Sequence, residues 1–164
     1  MRIAGQPMRT IRLAADGGDV EIIDQTLLPH RLEMATLATS EDAARAIRTM
    51  QVRGAPLIGA TAAYGMALAM REDATDAGIE RASAHLLKQR PTAVNLRWAL
   101  DEMRAALHGV PVQDRVRAAY AKAAAIADED VETCRRIGIN GLALIRASDP
   151  ITRRHAASAS SDTA

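Results

Sequence analysis

The stretch that decides the fold is Val52–Gly59, which reads Val-Arg-Gly-Ala-Pro-Leu-Ile-Gly. Gly54 frees the backbone to turn, and Pro56 is well tolerated in the first turn of a helix, so the pattern predicts a helix that begins here. From Leu57 to Met70 the sequence is apolar on every face, which is typical of a helix buried at the centre of a domain. We therefore expect a core built around this helix.

Upstream of this helix, the pattern is that of short strands. Thr10–Ala14 and Val20–Asp24 flank Asp16-Gly17-Gly18-Asp19, whose two glycines suit a tight hairpin turn, and Leu32–Leu37 predicts a third short strand. Thr39 or Ser40 then caps the first helix, because both hydroxyls are favoured at a helix amino terminus. The first third of the chain is thus predicted to form a small antiparallel sheet.

Downstream of the central helix, the apolar residues recur at helical spacing. Four further helices are predicted. The first is capped by Thr75 or Asp76 and runs to about Lys88, and the second is capped by Asn95 and ends at Gly109. The third opens at Pro111 and runs to about Ala127, and the fourth lies near Glu129–Ile145. The fold class is therefore α+β, a small amino-terminal antiparallel sheet followed by a helical bundle. We assign residues 1–38 to a β subdomain, 39–145 to the bundle, and 146–164, rich in Ser, Ala and Arg, to an irregular or disordered tail.

Composition excludes several classes of function. The 21 Lys and Arg nearly balance the 20 Asp and Glu, so nothing indicates binding to nucleic acid or to an anionic membrane. Leu57–Met70 is too short to cross a bilayer, which takes about 20 residues. Cys134 is the only cysteine, which fits a cytoplasmic protein without an internal disulfide, and we interpret it as a partly buried helix residue. No histidine or cysteine spacing suggests a metal site.

Two loops place an arginine beside a helix start. In Arg53-Gly54-Ala55-Pro56 and in Arg90-Pro91-Thr92-Ala93-Val94-Asn95, the side chain and the first helical N–H groups together suit an anion such as phosphate. Each loop also has a plain reading, since Gly54 could end the preceding helix and Arg90 could be a surface residue of a connection. Asp24 could be an active carboxylate, although a carboxylate that caps the following turn is the simpler interpretation.

Three stretches in order and in register resemble the methylthioribose-1-phosphate isomerases. They are Ile23-Asp24-Gln25-Thr26-Leu27-Leu28-Pro29, Arg53-Gly54-Ala55-Pro56-Leu57-Ile58-Gly59 and Arg90-Pro91-Thr92-Ala93-Val94-Asn95-Leu96. The resemblance covers about residues 10–145. It implies methionine salvage, with conversion of 5-methylthioribose 1-phosphate to 5-methylthioribulose 1-phosphate. It also implies that Arg53, Gly54 and Ala55 contact the substrate, that Arg90 binds its phosphate, and that the protein is a homodimer without a metal or cofactor.

One departure from the family limits the expected activity. The family's Rossmann-like second domain carries a cysteine in a Thr-His-Cys-Asn-Ala-Gly motif and an aspartate proton donor, and neither motif occurs here, so no catalytic residue is assigned. The chain resembles a truncated form that would not isomerise alone. Two alternatives stay open. One is a regulatory assembly module like the initiation factor 2B subunits, and the other is ribose-1,5-bisphosphate isomerase, which shares Arg-Gly-Ala but not the stretch at residues 23–29.

Overall fold

The computed structural model describes residues 2–3 and 5–148. The chain divides into two compact units, Met1–Asp128 and Glu129–Ala164. An irregular or disordered tail was expected at residues 146–164, but residues 146–148 are the end of a helix that stops at Ser148. Residues 149–164 lie outside the described residues.

The predicted antiparallel sheet is confirmed. Strands β3 (Ile11–Leu13), β4 (Val20–Ile23) and β5 (Met34–Leu37) pair in that order, and a short additional pair, β1 (Arg2–Ile3) and β2 (Gln6–Pro7), precedes them. The β3–β4 turn forms as expected, because Gly17 has a φ of 73° and the Asp16 carboxylate accepts hydrogen bonds from the Gly18 and Asp19 N–H groups at 2.8 and 3.0 Å.

Within the described residues, five α-helices follow the sheet, as the α+β prediction requires. They are α1 (Ser40–Arg48), α2 (Ala55–Glu72), α3 (Asp76–Leu87), α4 (Val94–His108) and α5 (Arg115–Ser148). Helix α2 is the centre of the first unit, since every residue from Leu57 to Met70 is buried. Its small side chains let neighbours approach closely: a Cβ atom built on Gly65 would lie 3.0 Å from the Ala43 Cβ and 3.1 Å from a Leu86 methyl group.

The last two predicted helices are a single helix. The prediction placed a break between Ala127 and Glu129, but α5 runs unbroken from Arg115 to Ser148, preceded by a short 3-10 helix at Val112–Asp114. The acidic residues at 128–130 predict a new helix start, but no proline or glycine interrupts the chain there, and the alanine-rich stretch at 118–127 favours a helix that continues through them. In the second unit, α5 exposes the large apolar residues Val131, Ile137, Ile139, Leu142, Leu144 and Ile145.

Arg115 connects three segments of the first unit. Its side chain is 6% exposed. The guanidinium donates to the Val110 carbonyl at 2.9 Å, to the Ala74 carbonyl at 2.7 Å and to an Asp76 carboxylate oxygen at 2.6 Å. Ala74 lies just before α3, Asp76 is the first residue of α3, and Val110 follows α4, so one side chain joins the start of α5 to both helices.

Acidification should destabilise the fold in part through Asp73. Hydrogen bonds from the Thr75 hydroxyl and N–H, and then the one from Arg81, lower the pKa of Asp73 from 3.8 to about 2. Since the folded pKa is depressed, the stabilisation is present above the ordinary value near 3.8 and is lost as the pH falls through about 2. We expect the urea midpoint of Asp73→Asn to fall less steeply than that of wild type between about pH 3.8 and about pH 2.

The control for this pH dependence is Asp101→Asn, the same chemical change at an exposed residue of α4. Part of the dependence of the urea midpoint on pH should remain in Asp73→Asn, because other carboxylates also have lowered pKa values. They are Asp16, Asp24, Asp42, Asp76, Glu80 and Glu132. Equal slopes for wild type and Asp73→Asn would contradict the assignment to Asp73.

Candidate functional site

The first predicted anion loop is a helix start without a side-chain cap. Gly54 is the N-cap residue of α2, with φ 89° and ψ 133°, a conformation that residues with a Cβ rarely adopt. Ala55 and Pro56 open the helix, and the Gly54 carbonyl accepts the first intrahelical bond, from the Ile58 N–H at 3.0 Å. The plain reading of Gly54 as the end of the preceding helix is therefore wrong, because α1 ends at Arg48.

The second loop has the same arrangement. The Arg90 carbonyl accepts from the Ala93 N–H at 3.0 Å, and α4 begins at Val94 with Ala93 as its N-cap. The prediction that Asn95 is the cap is wrong, since Asn95 lies inside the first turn. The Arg90 side chain is half-buried, and its guanidinium makes no hydrogen bond or ion pair to any of the residues that the structure describes.

Helices α2 and α4 bring these two starts together. A Cβ atom built on Gly59 would lie 2.9 Å from the Asn95 carbonyl oxygen and 3.5 Å from the Ala99 Cβ. Gly59 is in the second turn of α2 and Asn95 in the first turn of α4, so the amino-terminal ends of the two helices lie side by side. Two exposed apolar residues, Val94 and Trp98, occupy the first turns of α4 beside this contact.

The two remaining helix starts preceded by a loop in the first unit differ in a way that matters for anion binding. At α1 the Thr39 hydroxyl accepts from the Asp42 N–H at 3.1 Å, and at α3 the Thr75 hydroxyl accepts from the Gly78 N–H at 3.1 Å. Both of these helices also carry acidic residues in their first turn. Helices α2 and α4 have neither a side-chain cap nor an acidic residue there. Their free N–H groups and positive dipole ends are thus available to an external anion.

Arg53 is held against the loop that follows β4. Its Nη2 donates to the Gln25 carbonyl at 2.8 Å. Next to it, the Asp24 carboxylate accepts from the Thr26 N–H at 2.9 Å, the Thr26 hydroxyl at 2.6 Å and the Gln51 Nε2 at 2.8 Å. The interpretation of Asp24 as a turn cap is confirmed. The first two motifs therefore meet in space, through the contact between Arg53 and Gln25, which are 28 residues apart.

The charge state of Asp24 follows from these partners. Burial acts to raise the pKa of Asp24, but the hydrogen bonds from Thr26 and Gln51 and the positive charge of Arg53 outweigh it and leave the pKa below its usual value. Asp24 is thus ionised at neutral pH with its oxygens occupied by donors, which makes it a poor general base.

Other candidate groups lie away from these loops. Cys134 is exposed on α5, not partly buried as predicted, and its Sγ lies 3.9 Å from an Asp130 carboxylate oxygen. Across residues 2–3 and 5–148, no cluster of three or more His, Cys, Asp and Glu side chains suits a metal ion. Within the same residues, no helix has the length and hydropathy to cross a membrane. A cavity of about 250 Å³ between α1, α2 and α3 includes neither Arg53 nor Arg90 in its lining.

The two arginine loops were predicted from the sequence. The contact of Gln51 with Asp24 and the absence of a side-chain cap at the start of α4 were not. Gln51 carries no local signal, because its partner Asp24 is distant in sequence. The α4 start could have been found from Ala93, since alanine at an N-cap leaves the helix N–H groups without an acceptor.

Most of this chain is similar to proteins of known family. The family described as the initiation factor 2 subunit family matches residues 51–161. The chain is 61% identical over 145 residues to a protein of Methylorubrum extorquens named methylthioribose-1-phosphate isomerase, and the match covers 88% of this chain. The chain spans 40% of the length of that relative.

Two solved structures share the fold at 38% sequence identity. One is the delta subunit of translation initiation factor eIF-2B from A. fulgidus, with a TM-score of 0.70 over 77% of this chain and 38% of that one. The other is 5-methylthioribose 1-phosphate isomerase from Pyrococcus horikoshii OT3, with a TM-score of 0.69 over 76% of this chain and 37% of that one. These similarities confirm the resemblance expected from the three motifs.

Proposed function

Since this chain belongs to the initiation factor 2 subunit family, we propose that it supplies the phosphate-binding loops of a methylthioribose-1-phosphate isomerase. The substrate would be 5-methylthioribose 1-phosphate and the product 5-methylthioribulose 1-phosphate. Arg53, Gly54, Ala55 and Arg90 would contact the substrate, with Arg90 on its phosphate. The protein would act in methionine salvage in the cytoplasm, as a homodimer and without a cofactor.

One observation carries the proposal. Among the helix starts of the first unit that follow a loop, those of α2 and α4 carry neither a side-chain cap nor an acidic residue. Each follows an arginine loop, and the second turn of α2 meets the first turn of α4 at Gly59 and Asn95. Two neighbouring helix starts with free N–H groups, each preceded by an arginine, favour a dianion such as a phosphate monoester. The name of the Methylorubrum relative supports a sugar phosphate as the ligand.

These loops would bind the substrate but not transform it. An aldose-to-ketose conversion moves hydrogen between adjacent carbons, which needs a positioned acid or base. Arginine remains protonated at neutral pH, and a backbone N–H only donates, so neither group is suited to that transfer. Asp24 is held by three hydrogen bonds. We therefore expect the isolated chain to bind phosphate and to show no isomerase turnover.

The test is a binding titration of the chain with inorganic phosphate at constant ionic strength. Arg53→Ala and Arg90→Ala should each weaken binding about tenfold or more, because a hydrogen bond to a charged group contributes about 1.5–3 kcal/mol. Arg117→Ala is the matched control, since Arg117 is exposed on α5 and pairs only with Asp114 among the described residues. Unchanged binding in both loop variants would refute the phosphate site, and turnover of methylthioribose 1-phosphate above a mock preparation would refute the expected inactivity.

An assembly module is the second candidate, because the likeness to the initiation factor delta subunit is as close as that to the isomerase. Fold alone does not separate the two functions. Stabilisation of the chain by methylthioribose 1-phosphate would favour the methylthioribose-1-phosphate isomerase. The same stabilisation by ribose 1,5-bisphosphate would instead indicate a ribose-1,5-bisphosphate isomerase. Absence of stabilisation by either sugar phosphate would favour assembly.

A further inference from the structure

We propose that Gln51 is a positioning residue for the phosphate site, which it serves by fixing the loop that holds Arg53. This inference rests on the proposed function, since it presupposes that Arg53 contacts the phosphate. Gln51 itself would not touch the ligand.

Gln51 contacts the loop after β4 at two points. Its backbone carbonyl accepts from the Gln25 N–H at 2.9 Å, and its side-chain Nε2 donates to an Asp24 carboxylate oxygen at 2.8 Å. The other Asp24 oxygen accepts from the Thr26 N–H and hydroxyl. Backbone and side-chain contacts on successive residues leave the peptide between Asp24 and Gln25 little freedom to rotate.

The Gln25 carbonyl transmits this constraint to Arg53. It accepts from the Arg53 Nη2 at 2.8 Å, and this is the one hydrogen bond that the Arg53 guanidinium makes within the described residues. Arg53 is exposed, so no packing fixes its side chain. The position of the guanidinium therefore depends on the Gln25 carbonyl, while its remaining N–H groups are free to bind an anion.

The segment that carries Gln51 is itself anchored. Met50, in the turn just after α1, has a left-handed φ of 62°, and Val52 is fully buried. Gln51 thus lies between a turn and a core residue, and its side chain is directed to Asp24. A fixed support of this kind matters because displacement of a binding group by about 1 Å is enough to weaken a site.

A neutral amide is the group that this position requires. A glutamate at residue 51 would place a carboxylate where Nε2 now lies 2.8 Å from the Asp24 oxygen, and two carboxylates at that distance repel each other. It would also add a negative charge near a site for an anion. Gln51→Met keeps the length of the side chain and removes only the hydrogen-bonding groups, which makes it the cleaner probe.

A double-mutant cycle on phosphate affinity tests the inference. Wild type, Gln51→Met, Arg53→Ala and the double variant are titrated with inorganic phosphate, and Gln113→Met serves as control because Gln113 is exposed and outside this network. We expect Gln51→Met to weaken binding about three- to tenfold, the range of one hydrogen bond, and to have no further effect once Arg53 is absent. The melting temperature without phosphate should separate this effect from unfolding.

The outcomes distinguish the inference from the function on which it rests. If neither Arg53→Ala nor Arg90→Ala weakens phosphate binding, the proposed function fails. If Arg53→Ala weakens it while Gln51→Met binds like wild type, or if Gln51→Met weakens it equally with and without Arg53, the positioning role is overturned. Loss of affinity in Gln51→Met that depends on Arg53 supports it.

Discussion

Replacing Arg115 by leucine is expected to lower the free energy of unfolding by about 2–4 kcal/mol. The variant keeps much of the buried apolar contact of the side chain but removes three donors. The carbonyls of Ala74 and Val110 would then lose their partner within the protein. The ion pair with Asp76 contributes less, because Asp76 is 70% exposed and solvent screens its charge.

Urea denaturation of Arg115→Leu and of Arg117→Leu measures this effect. The second variant makes the same chemical change at a side chain that is 85% exposed, and a change within about 0.5 kcal/mol is expected there. Arg115→Lys should recover only part of the loss, because a single ammonium cannot reach three acceptors that a guanidinium fork spans. Equal stabilities of the two leucine variants would show that the three hydrogen bonds at Arg115 contribute nothing.

Gly59→Val should be nearly as damaging, with a loss of about 2–3 kcal/mol. A Cβ at this position already falls 2.9 Å from the Asn95 carbonyl oxygen, and the two valine methyl groups need further space. The neighbour is backbone in the first turn of α4, so it cannot move aside without moving the helix. Because Arg90 precedes that helix, we expect phosphate affinity to fall together with stability.

The matched variant for this test is Gly138→Val on α5, where a Cβ would meet nothing within 4 Å. Valine has a higher helix propensity than glycine, so this change should be neutral or slightly stabilising. Denaturation and phosphate titration of both variants separate the steric effect at Gly59 from the general effect of the substitution. A Gly59→Val protein as stable as wild type would mean that α4 can shift at no cost.

The parts of the fold that were predicted depend on local chemistry. The β3–β4 turn follows from the glycines and Asp16, and the starts of α1 and α3 follow from Thr39 and Thr75, whose hydroxyls cap the next turn. The two arginine loops were found for the same reason, since each combines a turn residue with a helix start within a few positions.

The parts that were missed depend on contacts between distant residues. Asn95 resembles a cap by residue type, yet its backbone packs against Gly59, and the helix begins one residue earlier, at Val94. The contact between Gln51 and Asp24 spans 27 residues and leaves no pattern in either segment. The break expected before Glu129 is absent because the alanine-rich stretch at 118–127 favours the helix strongly and no proline or glycine follows it at 128–130.

The position of Trp98 has a practical consequence. It is the only tryptophan in the chain, it is 45% exposed, and it lies in the second turn of α4, next to Ala99, which faces Gly59. Its fluorescence emission therefore reports on the end of α4 that follows Arg90, without an added dye. A phosphate titration read by intrinsic fluorescence would show whether an anion at the two helix starts changes the surroundings of that indole.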